Sequence, residues 1–142
     1  RRFEHKGVVR GITIVDDYAH HPSEIGATLD IAKRYPHKRL VVVFQPHTYS
    51  RTKAFFADFA KVLKEAELCV LAPIYGARET EDFGMSSEGL CREINSLGGR
   101  AICPGDFDEI ENYLLEHLEE GDLCITMGAG DIFKVGEVLS GR

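Results

Sequence analysis

The sequence predicts an α/β fold: a three-layer, Rossmann-like domain with a mostly parallel sheet of about six strands and one antiparallel edge strand. Three observations carry this. Five apolar runs of strand length recur along the 142 residues. Segments with helical spacing separate them, and continuous β-rich runs such as "VVVF" alternating with amphipathic helices are how a parallel sheet covered on both faces reads. Side chains able to do chemistry also collect after the strands rather than before them.

The elements follow in order. "RRFEHKGVV", then Arg10-Gly11, then "ITIV" reads as a hairpin that adds the antiparallel edge strand. "GITIVDD" around 11 to 17 is the first strand of the main set, and Ile25, Leu29 and Ala32 put a helix face behind it. "LVVVFQP" at 40 to 46 is followed by a helix carrying Phe55, Phe59, Val62 and Ala66 on one face. "LCVLAP" at 68 to 73 precedes a helix with Leu90, Ile94 and Leu97. "RAICP" at 100 to 104 precedes one with Phe107, Ile110, Leu114 and Leu118. "LCITMGAG" at 123 to 130 leads into a last helix with Ile132, Val135 and Leu139. The stretch "PIYGARETEDFGM", 73 to 85, is long for a connection in a compact domain and is a candidate functional or mobile loop.

Bulk properties exclude several classes. The length suits one domain. A formal charge of -6 with no basic stripe argues against a nucleic-acid partner. No apolar stretch approaches the roughly 20 residues that span a bilayer, and the start lacks a signal-peptide layout, so a soluble cytoplasmic domain with no membrane partner is expected. Cysteines stand at 69, 91, 103 and 124 without a C-x-x-C pair, and buried small hydrophobes explain them better than disulfides or zinc. The start "RRFEHKG" has no methionine, so a piece of something longer is expected.

In a parallel α/β sheet, ligands bind beyond the carboxyl ends of the strands. The segments there read "DDYAHHP", "QPHTYSRT", "PIYGARE", "PGD" and "GAGD", whereas the opposite connections, such as "RYPHKR" and "LEEGD", carry simple charge and turn residues. Each motif has a bland reading beside the functional one. Asp16 and Asp17 can cap the following helix, with Pro22 as its first residue. Adjacent side chains at a strand end diverge, so of His20 and His21 one faces the crevice; His20 is the choice, with His21 structural. "SRT" opens a helix whose unpaired N–H groups favour an anion, and Arg51 there suits a carboxylate or phosphate, unless it is a solvated surface arginine. "GAGD" lets backbone approach a ligand closely but falls short of a dinucleotide fingerprint, and no G-x-x-x-x-G-K-[ST] phosphate loop is present. A metal set drawn from Asp16, Asp17, His20, His21, His47 and Asp131 lacks the helical ligand spacings of a zinc hydrolase, so no metal site is expected. A free-standing nucleotide or phosphate sensor is a further class, with the "DD" as its support; a receiver would want a lysine where this chain has "MGAGD".

The set "VDDYAHHPSEI", "VVVFQPHTYSRT", "IYGARE" and "GDLCITMGAGDI", in this order and spacing, resembles the C-terminal domain of the Mur ligases from Arg2 to about Leu139. The resemblance implies a three-domain, bacterial, cytoplasmic enzyme: an N-terminal UDP-sugar domain, a central ATPase domain holding the phosphate loop and Mg2+, and this amino-acid-binding domain closing over it. Within the family the pattern is similar to the branch that joins L-alanine to UDP-N-acetylmuramate, in which ATP phosphorylates the lactyl carboxylate and the alanine amine attacks the acyl phosphate. The murein-peptide recycling branch shares the "DD-aromatic-AHHP" turn and differs in the segment matching "QPHTYSRT". By position, Tyr18, His20 and Arg51 match residues that line the alanine pocket: Arg51 holds the carboxylate, and His20 is a candidate base. Tyr75, Gly128, Gly130 and Asp131 join them as substrate-binding residues on the rim, while Asp17, His21 and Pro22 fall on the ATP side. Some members carry arginine at Thr48, so here Arg51 is expected to carry the carboxylate contact more nearly alone.

Overall fold

The structure, a computed structural model, describes residues 2–141. Its six-stranded sheet has the order β1-β2-β6-β3-β4-β5. The strands are β1 (Glu4–Val9), β2 (Ile12–Asp17), β3 (Arg39–Phe44), β4 (Leu68–Leu71), β5 (Ala101–Ile102) and β6 (Asp122–Met127). The helices are α1 (Pro22–Arg34), α2 (Tyr49–Ala54), α3 (Phe56–Leu63), α4 (Ser87–Ser96), α5 (Phe107–His117) and α6 (Phe133–Leu139). The hairpin β1–β2 is antiparallel and every other pairing is parallel, as the sequence predicts. Arg10 and Gly11 both take positive φ, 53° and 76°, the primed-turn geometry whose twist matches a two-residue hairpin.

Period-two alternation splits the core into two layers. Leu40, Val42 and Phe44 face Ile25, Leu29, Phe59, Leu63, Leu90 and Ile94 on one side of the sheet. Val41 and Val43 face Ile110, Leu114, Ile132, Val135 and Leu139 on the other. Burial of each large side chain contributes about 1.5–3 kcal/mol, which is why β3 shows no polar face. Cys69 and Cys124 are fully buried, and desolvation pushes Cys69 far above its ordinary thiol range and Cys124 up to about 12, consistent with inert core residues.

Two elements depart from expectation. The helix expected to carry Phe55 through Ala66 is two helices, broken at Phe55 (φ −120°, ψ 24°), and it begins at Tyr49, before the "SRT" triplet. The strand expected over 100 to 104 pairs at only two residues, because β5 is the sheet edge and has a partner on one side.

At the amino end of the sheet, Asp122 is buried and accepts Arg39 Nε at 3.1 Å and Nη2 at 2.7 Å, together with the Glu119 N–H. Replacing Asp122 with alanine strands a guanidinium that is only a quarter exposed. The expected loss is about 2–3 kcal/mol after allowing for that exposure, seen as a fall of roughly 6–10 °C in Tm by calorimetry. An unchanged Tm would mean that water replaces the carboxylate at no cost.

β6 lies between β2 and β3, so the chain leaves β2 in one direction and returns later to fill the gap. The crevice above such a switch point is where open α/β sheets hold ligands. Short bonds tie its rim together: Gln45 N–H to Met127 O, Gly128 N–H to Asp17 O, and Ala72 N–H to Phe44 O.

Candidate active site at the carboxyl edge of the sheet

The turn after β2 separates its two imidazoles. His21 is the N-cap of α1: its Nδ1 accepts the Ser23 N–H at 3.2 Å, Glu24 returns to the His20 and His21 N–H groups, and its ring packs on Phe55 with centroids 4.7 Å apart. His20 points elsewhere, against Tyr18 at 5.2 Å and His47 at 5.9 Å. The helix cap is therefore His21, and Asp17 does a different job. Its Oδ1 accepts the Ala19 N–H and its Oδ2 the Phe3 N–H, both at 2.8 Å, clipping the entry of the chain to the turn. Asp16 is fully buried and accepts Thr126 Oγ1 at 2.7 Å.

The tautomer of His20 follows from its neighbours. Nδ1 lies 3.0 Å from the Tyr18 carbonyl, which can only accept, and 3.5 Å from Glu24 Oε1. Nδ1 therefore carries the hydrogen, and Nε2 is the basic nitrogen. Burial alone would push the Glu24 carboxyl up, but the His20 and His21 N–H groups and the two imidazoles hold it below its ordinary value.

The loop after β3 supplies His47 and Arg51. Arg51 Nη1 sits 3.2 Å from His47 Nδ1. A guanidinium only donates, so His47 accepts there. Burial, then Arg51, then His20 hold His47 below the usual imidazole range, with Glu79 partly opposing, which keeps the acceptor form. Tyr75, from the loop after β4, stacks on His47 with centroids 5.4 Å apart and planes 12° from parallel. The overlap is set by backbone: Tyr75 N–H donates to Pro46 O and Thr48 N–H to Tyr75 O, each at 2.8 Å.

The segment after β6 closes the wall. Gly130 lies so near Gln45 and Tyr75 that a Cβ there would meet Gln45 Oε1 at 2.6 Å and Tyr75 Cγ at 3.1 Å, so a larger residue would have to displace the Gln45 amide. Gln45 Nε2 donates to Asp131 Oδ1 at 2.9 Å, while its Oε1 is buried without a hydrogen-bond partner among the described residues. Gly128, buried below, holds the loop to β2.

Of the residues singled out from sequence, Tyr18, His20, Arg51, Tyr75, Gly130 and Asp131 thus form one wall, linked by His47 and Gln45. His21 and Pro22 lie apart from it and line an open depression of about 420 Å³ with Phe55, Asp58, Lys61 and Val62, whereas Asp17, expected with them, lines a small hollow beside Tyr18, Ala19 and Glu24. An apolar cavity of about 300 Å³, lined by Val9, Ile12, Leu115 and Leu118, sits at the opposite end of the strands and holds none of these groups. The sequence alone names His47 only for a metal set and gives Gln45 no role; the signal for both is their place in the segment directly after β3. Thr48 turns its Oγ1 back to cap α2 through the Arg51 N–H at 3.2 Å.

The anion expected on the α2 N-terminus is supplied by the chain itself. Glu79 accepts the Tyr49 and Ser50 N–H groups, so this turn is filled before any ligand arrives. The Ser50 hydroxyl and these N–H groups hold the Glu79 carboxyl below its ordinary value. Among the described residues no group of three or more His, Cys, Asp or Glu side chains is arranged to hold a metal ion, and no helix is long and apolar enough to cross a membrane.

What can be done here chemically is limited and specific: a fixed guanidinium for a carboxylate, and beside it an imidazole with a defined basic nitrogen. The Mur ligase, glutamate ligase domain family matches residues 1–130. The UDP-N-acetylmuramate--L-alanine ligase of Lachnospira eligens is 59% identical over 98% of this chain, and that of Caldanaerobacter subterraneus subsp. tengcongensis 55% over 96%. In both cases the chain spans 30% of the relative's length. The crystal structure of the UDP-N-acetylmuramate-alanine ligase of Thermotoga maritima superposes with a TM-score of 0.81 at 28% identity, over 100% of this chain and 29% of that one. A murein peptide ligase of Psychrobacter arcticus has the same fold, with a TM-score of 0.78 at 24% identity, over 98% of this chain and 29% of that one. On the strength of the family match and of these relatives, the chain belongs to the Mur ligase family.

Proposed function

We propose that this chain is the C-terminal, amino-acid-binding domain of an ATP-dependent ligase that joins L-alanine to UDP-N-acetylmuramate through an acyl phosphate in peptidoglycan synthesis. The observation that carries the reading is the Arg51–His47–His20 arrangement at the carboxyl edge of the sheet. Arg51 offers a bidentate fork to the alanine carboxylate. Held at that end, the amino group is oriented toward the crevice, and positioning of this kind can supply several kcal/mol of the barrier. His20, protonated on Nδ1 by its neighbours, takes the proton lost by the attacking ammonium at Nε2. Tyr18 and Tyr75 wall the pocket, Gly130 and Asp131 form its rim, and Gly128 anchors the rim loop to β2 from below.

ATP supplies the phosphoryl group that activates the lactyl carboxylate, and the upstream N-terminal and central domains bind the UDP-sugar and the phosphates. This chain has no phosphate loop. Its share of the nucleotide site is Asp17, His21 and Pro22, toward base and ribose; Mg2+ belongs to the central domain.

The murein-peptide recycling branch is the alternative reading. The 59% and 55% identities to alanine-adding ligases favour the first. Assay of the full-length protein with ATP and UDP-N-acetylmuramate decides: ADP release is expected with L-alanine and none with free murein tripeptide. Glycine should be used about 10–200-fold less well, the worth of one methyl group. Tripeptide-dependent turnover without alanine-dependent turnover would assign the recycling reaction.

A further inference from the structure

We propose that Glu79 is a positioning residue: a carboxylate in the loop between β4 and α4 that sets the turn carrying Arg51 by filling the N-terminal end of α2. The inference rests on the amino-acid reading of the site and names a part of the site that the reading does not assign.

The turn from Thr48 to Arg51 does not hold its shape by itself. Thr48 is β-branched, yet it sits at φ +65°. That region is sparsely populated for such a residue and persists only where the surroundings over-determine it. The over-determination comes from the other loop. Thr48 N–H is taken by the Tyr75 carbonyl at 2.8 Å. Tyr49 and Ser50 N–H are both taken by Glu79 Oε1, with the Ser50 hydroxyl on the same carboxylate. Arg51 N–H alone is satisfied locally, by Thr48 Oγ1. Three successive donors are thus ordered by residues 75 and 79, about thirty positions downstream, and the fourth bond starts the helix that aims Arg51 at His47.

The same loop carries the ring that stacks on His47, and the Glu79 N–H donates to Gly76 O at 3.0 Å, so Tyr75 and Glu79 lie on one short turn. A Cβ on Gly76 would meet the Tyr49 ring at 2.9 Å, so the two loops are also packed face to face. Glu79 further acts by exclusion. With its charge on the helix end, a substrate carboxylate finds no backbone donors there and is directed to the Arg51 side chain.

The test uses the full-length ligase and steady-state kinetics for each substrate. Glu79→Gln keeps shape and removes charge; we expect KM for L-alanine to rise about tenfold, with KM for UDP-N-acetylmuramate and ATP within about twofold and Tm unchanged. Ser50→Ala, which takes one donor from the carboxylate, should give a smaller rise of the same selective kind, and it carries the test should Glu79→Gln fail to fold. Arg51→Ala, run in parallel, separates the two layers of the argument. An unchanged alanine KM in Glu79→Gln alongside a raised one in Arg51→Ala overturns the positioning role alone. Equal rises for alanine and the UDP-sugar overturn it too, since a general scaffold acts on both. An unchanged alanine KM in Arg51→Ala removes the amino-acid reading, and the inference with it.

Discussion

Replacing Arg51 by alanine in the full-length ligase is expected to raise the KM for L-alanine by about a hundredfold, with that for UDP-N-acetylmuramate nearly unchanged. The magnitude follows from the contact removed. Hydrogen bonds to charged groups contribute about 1.5–3 kcal/mol, and 1.36 kcal/mol is tenfold, so losing a bidentate pair is worth about two decades. Thr48, the neighbouring position where some family members carry a cation, caps α2 through its side chain and brings no charge to share the load. Arg51→Lys keeps the charge without the fork and should lie between, at about tenfold. His47 loses its donor in both variants but keeps its stacking on Tyr75, so the fold should be retained. Steady-state kinetics with each substrate varied in turn checks this; parallel rises in both KM values would assign Arg51 to domain closure instead.

The second large effect is a complete one. The isolated 142-residue chain is expected to show no alanine-dependent ADP release. The roles proposed for its side chains are an amino-acid clamp, a base and a nucleotide rim; the sequence contains no G-x-x-x-x-G-K-[ST], and among the described residues no cluster is arranged to hold a metal ion. Phosphoryl transfer depends almost wholly on positioning and charge stabilisation, which such groups provide. The chain itself should be folded, since its two core layers close on both faces of the sheet. A coupled assay with the upstream part of the protein added back distinguishes an absent half-site from a damaged domain. Turnover by the chain alone would end the three-domain account.

The fold was legible because its signals are local and strong. "VVVF" between amphipathic helices reads as a strand covered on both faces, the pattern of a parallel sheet, and Arg10-Gly11 supplies the positive φ values that a tight hairpin needs. The split of His20 from His21 was expected from strand-end geometry, but β2 ends at Asp17 and the cause is the helix: His21 is drawn aside as the N-cap of α1 while His20 precedes it. What escaped was long-range. Nothing in "QPHTYSRT" announces that Thr48 takes a left-handed conformation, since the carbonyl and carboxylate that hold it there come from residues 75 and 79. For the same reason the helix end looked open to an external anion when Glu79 already fills it. The break at Phe55 is likewise tertiary: its ring turns toward His21 of a different helix, ending α2 where the hydrophobic spacing alone ran on. Gln45 is silent in the sequence because a glutamine at a strand end carries no motif; its clamp on Asp131 is visible only once β3 and β6 are neighbours.

The most direct test of the account is the preference for a carboxylate. The ratio of kcat/KM for L-alanine to that for L-alaninamide, which lacks the charge but keeps the amine and the methyl, should be large in the wild-type ligase. If Arg51 holds the carboxylate, the ratio should collapse toward unity in Arg51→Ala, with the loss falling on alanine and little on the amide. A ratio that survives the substitution unchanged would contradict the assignment and place the amino-acid carboxylate elsewhere.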